Sequence, residues 1–200
     1  MHQSDRPQGC SYQTHTWRMR TLQIPAMRDL SDGQLLLEPL TEAHAAEMFV
    51  VLSDLAIYEF ENEPPDSLQT LRQRYARWSQ RHAPDNSEIW LNWVVRLPSE
   101  QLAGYVQASV QPSGMALIAY ELASVYWRQG IGRAAVRLMM QELVARYEVG
   151  LCAAVFKSRN VRSHGLLRSL GFTPTIAPGW PLLIHEADEM VLYCATQRSC

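Results

Sequence analysis

The sequence predicts a single α/β domain, and three observations carry that expectation. Its 200 residues, 47% apolar and 19% charged, suit one globular unit that buries about 70% of its unfolded surface. Three consecutive stretches between Ile89 and Leu122 alternate apolar and polar side chains, the period of half-buried strands. Behind them a Gly130-Ile131-Gly132 turn opens a long stretch with helical periodicity.

The elements follow in chain order. Residues 1–33 hold Asp5, Arg6, Arg18, Arg20 and Asp29 without a continuous apolar stretch, which argues against a secretory leader. This segment is expected to be an extension outside the core, partly disordered. From Gln34, Leu35-Leu36-Leu37 ahead of Pro39 predicts a short strand, and Thr41 a capped helix over Glu42 to Ser53. The Glu- and Pro-rich stretch from Tyr58 to Asp66 breaks the pattern. Ser67 then caps a helix from Leu68 to Ser79 with Leu71, Tyr75 and Trp78 on one stripe, and His82 to Asn86 is a loop.

In the first predicted strand of the meander Ile89, Leu91, Trp93, Val95 and Leu97 alternate with Trp90, Asn92, Val94 and Arg96. In the second, Val106, Ala108 and Val110 oppose Tyr105, Gln107 and Ser109, so that one face suits a core and the other a polar cleft. The third runs from Met115 to Leu122. Short turns at Pro98-Ser99-Glu100 and Pro112-Ser113-Gly114 make the three antiparallel neighbours. A loop from Ala123 to Gln129 leads to the glycine turn and a helix reaching Tyr147, with Ala135, Leu138, Met139 and Leu143 on its apolar side. Leu151 to Phe156 is a buried strand. Asn160 caps a helix ending at Leu170, where Gly171 is the natural stop, and a bend at Pro178 to Pro181 precedes a last strand near Glu189 to Thr196.

Composition excludes several functions. A net charge of -2 offers no general attraction to nucleic acid. No apolar run approaches the ~20 residues of a membrane span. Cys10, Cys152, Cys194 and Cys200 form no CxxC pair and are too sparse for a disulfide framework, which makes a reducing cytoplasm the expected compartment. His185-Glu186-Ala187-Asp188-Glu189 lacks the second histidine of a zinc HExxH helix, and no metal is expected. Gly-x-Ser-x-Gly is absent, and the tryptophans suit packing better than base stacking.

A Gly-x-Gly turn opening a helix is suited to anions. The first helical N–H groups lack internal partners, the helix dipole is positive there, and glycines let a phosphate approach the backbone. Arg128 and Arg133 flank the turn. Gly130, Gly132 and Ala135 formally fit the dinucleotide fingerprint, but seven residues separate Leu122 from Gly130, and Lys157 stands where a ribose-binding carboxylate belongs. A Walker loop fails because no Lys-Ser or Lys-Thr follows the glycines.

The stretch from Tyr120-Glu121-Leu122 through Val125-Tyr126-Trp127-Arg128-Gln129-Gly130-Ile131-Gly132-Arg133-Ala134-Ala135 resembles the coenzyme motif of the GNAT superfamily of N-acetyltransferases. Asn160-Val161-Arg162-Ser163 and Leu166 to Phe172 resemble its second motif, at matching spacing. Trp127, in place of the usual Gln or Arg, and Asn160 with Ser163 are similar to the Rim-type branch that acetylates ribosomal-protein N-termini. One departure is Leu167, where the family often has the tyrosine that protonates the leaving thiolate.

The resemblance implies an acetyltransferase domain over 34–200, with a mixed, largely antiparallel sheet of about seven strands, splayed in the middle and flanked by about four helices. It implies acetyl-CoA as acyl donor, its pyrophosphate on backbone amides from Gln129 through Gly130, Ile131, Gly132 and Arg133 to Ala134, with Arg128 and Arg133 as side-chain partners. It further implies that the pantetheine pairs along Leu122, Ala123 and Ser124, that an N–H near Leu122 polarises the thioester, and that Asn160 reaches the pantetheine. Direct transfer in a ternary complex is the family route, no cysteine lying in either motif.

An attacking amine must first lose a proton, since a lysine-type amine has a pKa of about 10.4. Glu121 is the first candidate for the base, an ordered water the alternative. Ser163 either protonates the thiolate, hydrogen-bonds its sulfur, or serves only the helix end. For the acceptor, an amine or a peptide N-terminus, Glu59 and Glu61 of the acidic run that continues through Glu63 and Asp66, together with Trp90, Tyr105 and Gln107, are the candidates. A homodimer is compatible with the sequence. Two rival readings are a non-catalytic acyl-CoA-binding module on the same fold and a nucleotide-binding oxidoreductase.

Overall fold

The structure is a computed structural model, described here over residues 24–176 and 178–196. Eleven regular elements follow in order: β1 (Leu30–Ser31), β2 (Leu36–Pro39), α1 (Ala45–Val51), α2 (Leu68–Trp78), β3 (Ile89–Arg96), β4 (Leu102–Val110), β5 (Met115–Leu122), α3 (Ile131–Tyr147), β6 (Leu151–Lys157), α4 (Val161–Ser169) and β7 (Glu189–Ala195), with short 3-10 turns at Glu42–His44, Leu55–Tyr58 and Ser124–Tyr126. The strands form one sheet in sequence order, antiparallel throughout except for β5 beside β6. That parallel pair needs a crossover, which α3 supplies.

Caps set the helix starts as expected. Ser67 accepts a hydrogen bond from Thr70 N at 3.1 Å ahead of α2, and Asn160 one from Ser163 N at 3.0 Å ahead of α4. Each such cap is worth about 1 kcal/mol.

The sheet buries both faces. On one, Leu37, Trp93, Val106, Ile118 and Phe156 pack with Val136, Met139 and Leu143 of α3 and Leu167 of α4. On the other, Met48 of α1 and Leu71 and Tyr75 of α2 cover Val94, Leu102 and Tyr105. The β6–β7 side of that second face is covered by Ile176, Trp180 and Leu183 from the Pro-rich bend.

Two expectations shift. Residues 24–33, set outside the core by the sequence reading, carry the edge strand β1, and Leu30 is buried in the main core. Trp93 donates its indole N–H to Arg28 O at 3.1 Å, and Arg28 pairs with the buried Glu142 at 2.7 Å. Only two residues of this segment pair as strand, too few for an alternation to show. Residues 1–23, including Cys10, lie outside the described residues, as does Cys200. The polar face proposed for β4 is also different, since Tyr105 is buried under α2, stacked obliquely on Trp78.

Cys152 and Cys194 are register partners across β6 and β7, and both are free thiols. Among the described residues no helix is long and apolar enough to cross a membrane, and no cluster of His, Cys, Asp or Glu is arranged to hold a metal.

Candidate active site

The sheet opens between β5 and β6. Their ladder covers only Met115 with Leu151, Ala116 with Cys152 and Leu117 with Ala153. Beyond it β5 stays paired with β4 up to Leu122, and β6 with β7 up to Lys157. The ends of β5 and β6 therefore diverge and form the walls of a cleft of about 580 Å³.

Hydrogen-bond parity decides what β5 presents to that cleft. Ala123 N donates to Ala103 O at 2.9 Å, so Ala123, Glu121 and Ala119 turn their backbone groups toward β4. Leu122, Tyr120 and Ile118 turn theirs toward the gap. Side chains alternate independently: Glu121 shares a face with its register partner Tyr105, while Tyr120 points the other way, toward α4.

At the mouth of the cleft the chain curls before α3. Arg128 and Gly130 both adopt left-handed backbone, at φ 59° and 82°. Among the described residues no side chain caps α3, and its first internal bond runs from Ala134 N to Gly130 O at 3.0 Å. The N–H groups ahead of Ala134 are thus open to an anion, flanked by the exposed Arg128 and the cleft-lining Arg133.

The two glycines serve different ends. Gly130 has open space around it and is required by its φ. At Gly132, by contrast, an added Cβ would meet Leu166 Cδ1 at 3.0 Å and Leu122 Cδ1 at 3.4 Å. Gly132 also packs α3 closely against α4 and β5, a second demand for glycine beside the phosphate approach anticipated from sequence.

Glu121 stands on the α1/α2 side of the gap. Asn62 Nδ2 donates to its Oε1 at 3.2 Å, from a left-handed backbone at φ 65° that asparagine tolerates. Burial pushes the Glu121 carboxyl above the usual carboxylate range, and hydrogen bonding from Tyr105 opposes this in part. The opposing strand carries a bulge here, the register of β3 and β4 shifting between Val95 and Arg96. Beside it Gly104 lies so close to β5 that an added Cβ would sit 2.0 Å from Glu121 O.

On the opposite face, Tyr120 Oη and Ser163 Oγ hydrogen-bond each other at 2.7 Å, and both residues line the cleft. Asn160 lines it as well, its Oδ1 engaged in the α4 cap and its Nδ2 left as a donor.

Backbone groups beyond β5 are largely committed. Trp127 donates its indole N–H to Leu122 O at 2.8 Å, Ser124 N donates to Asp54 Oδ2 at 2.6 Å, and Ala123 O and Ser124 O accept from Tyr126 N and Trp127 N. An extended ligand pairing along Leu122 to Ser124 would compete with these bonds, and Leu122 N–H is the group that parity leaves facing the gap.

A strap over residues 54–62 crosses the cleft on the side of Glu121. Asp54 caps its 3-10 turn through Ala56 N at 3.1 Å and holds Ser124, so one carboxylate ties strap to loop. Farther on, Glu59 pairs with Arg162, whose guanidinium lies 4.3 Å from the Trp127 ring centroid and 5.2 Å from that of Phe60. Glu61 lines the cleft, its carboxyl raised by partial burial and by the charge of Glu189.

Most residues anticipated from sequence therefore converge. Glu121, Ser163, Leu122, Arg128, Gly130, Gly132, Arg133, Asn160 and Glu61 line one cleft. Gln129, Ile131 and Ala134 belong to its loop and helix start without lining it, and Glu59 sits at its rim. Tyr105 lies beneath Glu121 instead of facing an acceptor. Trp90 and Gln107 line a separate cavity of about 150 Å³ with Trp78 and Asn92, because helix α2 intervenes. Cys152 is fully buried in the main core with its thiol pushed up to about 12 by burial, a poor nucleophile. Sequence reasoning missed Asp54, Phe60, Asn62 and Arg162 as site residues. The strap's composition is the only hint of the first three, and Arg162 stands within the second motif without a role.

An open mixed sheet whose one parallel pair splays beside a helix start without a side-chain cap is the architecture on which the cleft is built. A family model described as acetyltransferase (GNAT) domain matches residues 34–173. The chain belongs to that family, whose activity is acetyl transfer from acetyl-CoA to an amine. No curated protein sequence gives a significant match.

Solved structures share the fold at low identity. They include ribosomal-protein-S5-alanine acetyltransferase from Vibrio fischeri, with TM-score 0.67 and 19% identity over 84% of this chain and 97% of that one. RimL, a ribosomal L7/L12 alpha-N-protein acetyltransferase in complex with coenzyme A, has TM-score 0.71 and 15% identity over 84% and 98%. A spermidine N-acetyltransferase chimera from Vibrio cholerae and hSSAT has TM-score 0.64 and 17% identity over 82% and 96%.

Proposed function

We propose that this protein transfers an acetyl group directly from acetyl-CoA to a primary amine, in a ternary complex formed across the gap between β5 and β6. The observation that best supports this reading is the juxtaposition in one cleft of an uncapped α3 start, the inward-facing N–H of Leu122 and a carboxyl raised by burial.

The pyrophosphate rests on the N–H groups ahead of Ala134, with Arg128 and Arg133 supplying charge. The pantetheine runs into the gap past Asn160, whose free Nδ2 donates to an amide carbonyl. Leu122 N–H donates to the thioester oxygen and strengthens its hold as the tetrahedral oxyanion forms. Glu121 takes the proton that the attacking ammonium must lose, directly or through water, since its raised affinity brings it closer to neutral pH. The acceptor enters under the strap, where Glu61 attracts a cation. Given the fold's Rim-type neighbours, a peptide N-terminus is the first acceptor to try, and polyamines are the second.

Thermal unfolding with ligands tests the donor. Acetyl-CoA should raise the melting temperature while NAD(P) does not. Release of free thiol with a panel of N-terminal peptides, polyamines and amino acids then tests the transfer. Binding without thiol release from any amine would favour a non-catalytic acyl-CoA module.

A further inference from the structure

Two donors hold the Glu121 carboxylate, and they belong to parts of the molecule that are tied down differently. Tyr105 hydrogen-bonds it from β4, where the two residues are register partners and the phenol is buried under α2. Asn62 reaches it from the strap, Nδ2 to Oε1 at 3.2 Å, and is itself exposed. The other groups facing Glu121 carry no hydrogen bond to it. Tyr58 gives its hydroxyl to Leu52 O at 2.9 Å, and Tyr75 Oη is buried without a hydrogen-bond partner. Arg74 of α2 and Glu61 of the strap act through their charges, which oppose each other.

Polar contacts fasten the strap to three other elements. Asp54 holds Ser124 N at 2.6 Å in the loop after β5, Glu59 pairs with Arg162 at the head of α4, and Asn62 meets β5 itself. Lifting the strap therefore breaks the Asn62 contact and leaves that of Tyr105 intact. Asn62 adopts left-handed backbone at φ 65°, a turn that glycine makes as readily. The turn does not need the amide, which can be removed without straining the chain.

We propose that Asn62 is a positioning residue through which the strap switches the base: with the strap down, its amide holds the Glu121 carboxylate ionised and aimed into the cleft, and with the strap lifted that hold is gone. The inference rests on the acetyl-transfer reading. A donor to a carboxylate favours its charged form, so proton uptake from the attacking ammonium is confined to a cleft that the strap has closed. In that step an N–H bond breaks, its electron pair stays on nitrogen, and the proton goes to a Glu121 oxygen. A carboxylate offers about four acceptor positions, which leaves room beside the bonds from Asn62 and Tyr105. By linkage, a protonated carboxyl holds the amide less tightly, so the strap's tie to β5 weakens once the proton has arrived.

A carboxyl carbon-13 NMR titration of the full chain measures the switch without any substrate, the Glu121 signal being assigned by its absence from Glu121→Gln. Asn62→Gly removes the amide and keeps the left-handed turn. It should raise the Glu121 midpoint by about one pH unit, the size of a hydrogen bond to a charged group. Asn62→Asp also tolerates the turn, sets a like charge against Glu121 and should raise the midpoint further. Asp54→Ala cuts the tie to Ser124 and should raise it as well, whereas loss of a negative charge alone would lower it. A midpoint unmoved by Asn62→Gly and Asn62→Asp overturns the positioning role, and one unmoved or lowered by Asp54→Ala overturns the coupling to the strap.

Turnover separates this inference from the reading beneath it. At saturating acetyl-CoA and amine, the acid limb of thiol release should move in each variant with the NMR midpoint. Variants that lose rate equally at every pH, with the limb in place, overturn the proposal and leave acetyl transfer standing. A limb that persists in Glu121→Gln refutes Glu121 as the base, and thiol release with none of the amines refutes acetyl transfer itself.

Discussion

Replacing Glu121 by Gln removes the base with little change of shape, and the expected loss depends on the acceptor's own acidity. At pH 7 an amine of pKa about 10.4 is unprotonated in roughly one molecule in 2,500, and an α-amine of pKa about 8 in roughly one in ten. General-base catalysis is worth about 10²- to 10⁴-fold. Glu121→Gln should therefore lower kcat/KM toward the upper end for a lysine-type or polyamine acceptor and toward the lower end for a peptide α-amine. By pH 9 the α-amine is mostly unprotonated and should regain nearly all of its rate, whereas the lysine-type amine, unprotonated in roughly one molecule in 26, should recover only in part.

Wild-type turnover should have an acid limb above the ordinary carboxylate range, because burial raises the Glu121 carboxyl, and the variant should lose that limb. Stability gives an independent check. A carboxyl that binds its proton more tightly when folded contributes stability below its unfolded pKa, and this is lost as pH rises through the folded value. The variant should thus gain stability relative to wild type at neutral pH, and the advantage should shrink in acid. Paired thermal melts and initial rates from pH 5 to 9 measure both. Wild-type kcat/KM in the variant across that range, with either amine class, would remove Glu121 as the base.

Other perturbations probe the frame around it. Gly104→Ala puts a Cβ 2.0 Å from Glu121 O, so β4 must move; a loss of about 1–3 kcal/mol in denaturant titrations is expected, with activity falling further because Glu121 moves too. Gly132→Val should drive methyls into Leu166 and Leu122 and abolish acetyl-CoA binding by calorimetry, whereas Gly130→Ala, in open space, should cost only the left-handed strain of about 1–2 kcal/mol. Arg162→Gln removes the Glu59 pair and the stacking on Phe60 and Trp127. It should expose the strap to limited proteolysis and raise the acceptor KM more than that for acetyl-CoA.

Features of the fold with a local cause were legible in the sequence. Ser67 and Asn160 announce their helices because an N-cap is a single side chain bonded three residues on. The meander is visible because alternation is a property of each strand alone. Legibility fails where a partner far along the chain supplies the reason. Nothing local to Gly132 shows that Leu166 packs against it, and Tyr105 looks like a cleft residue until α2 lies over it. Asp54 shows nothing locally of its bond to Ser124, seventy residues on. The close approach at Gly104 is equally hidden, since only its register against β5 shows that no side chain fits there.

That close approach connects the fold to the chemistry. Along β5, moving one residue exchanges both the face of the side chain and the direction of the N–H. With Gly104 opposite Leu122, Leu122 N–H enters the gap, Glu121 reaches the α1/α2 side and Tyr120 the α3/α4 side. A slip of one residue would turn Leu122 N–H into the β4 ladder and put the carboxylate among the core side chains of α3 and α4. The proposed proton acceptor and the proposed oxyanion donor are thus adjacent residues whose distinct orientations follow from strand geometry. The close backbone approach that only glycine permits keeps them in register.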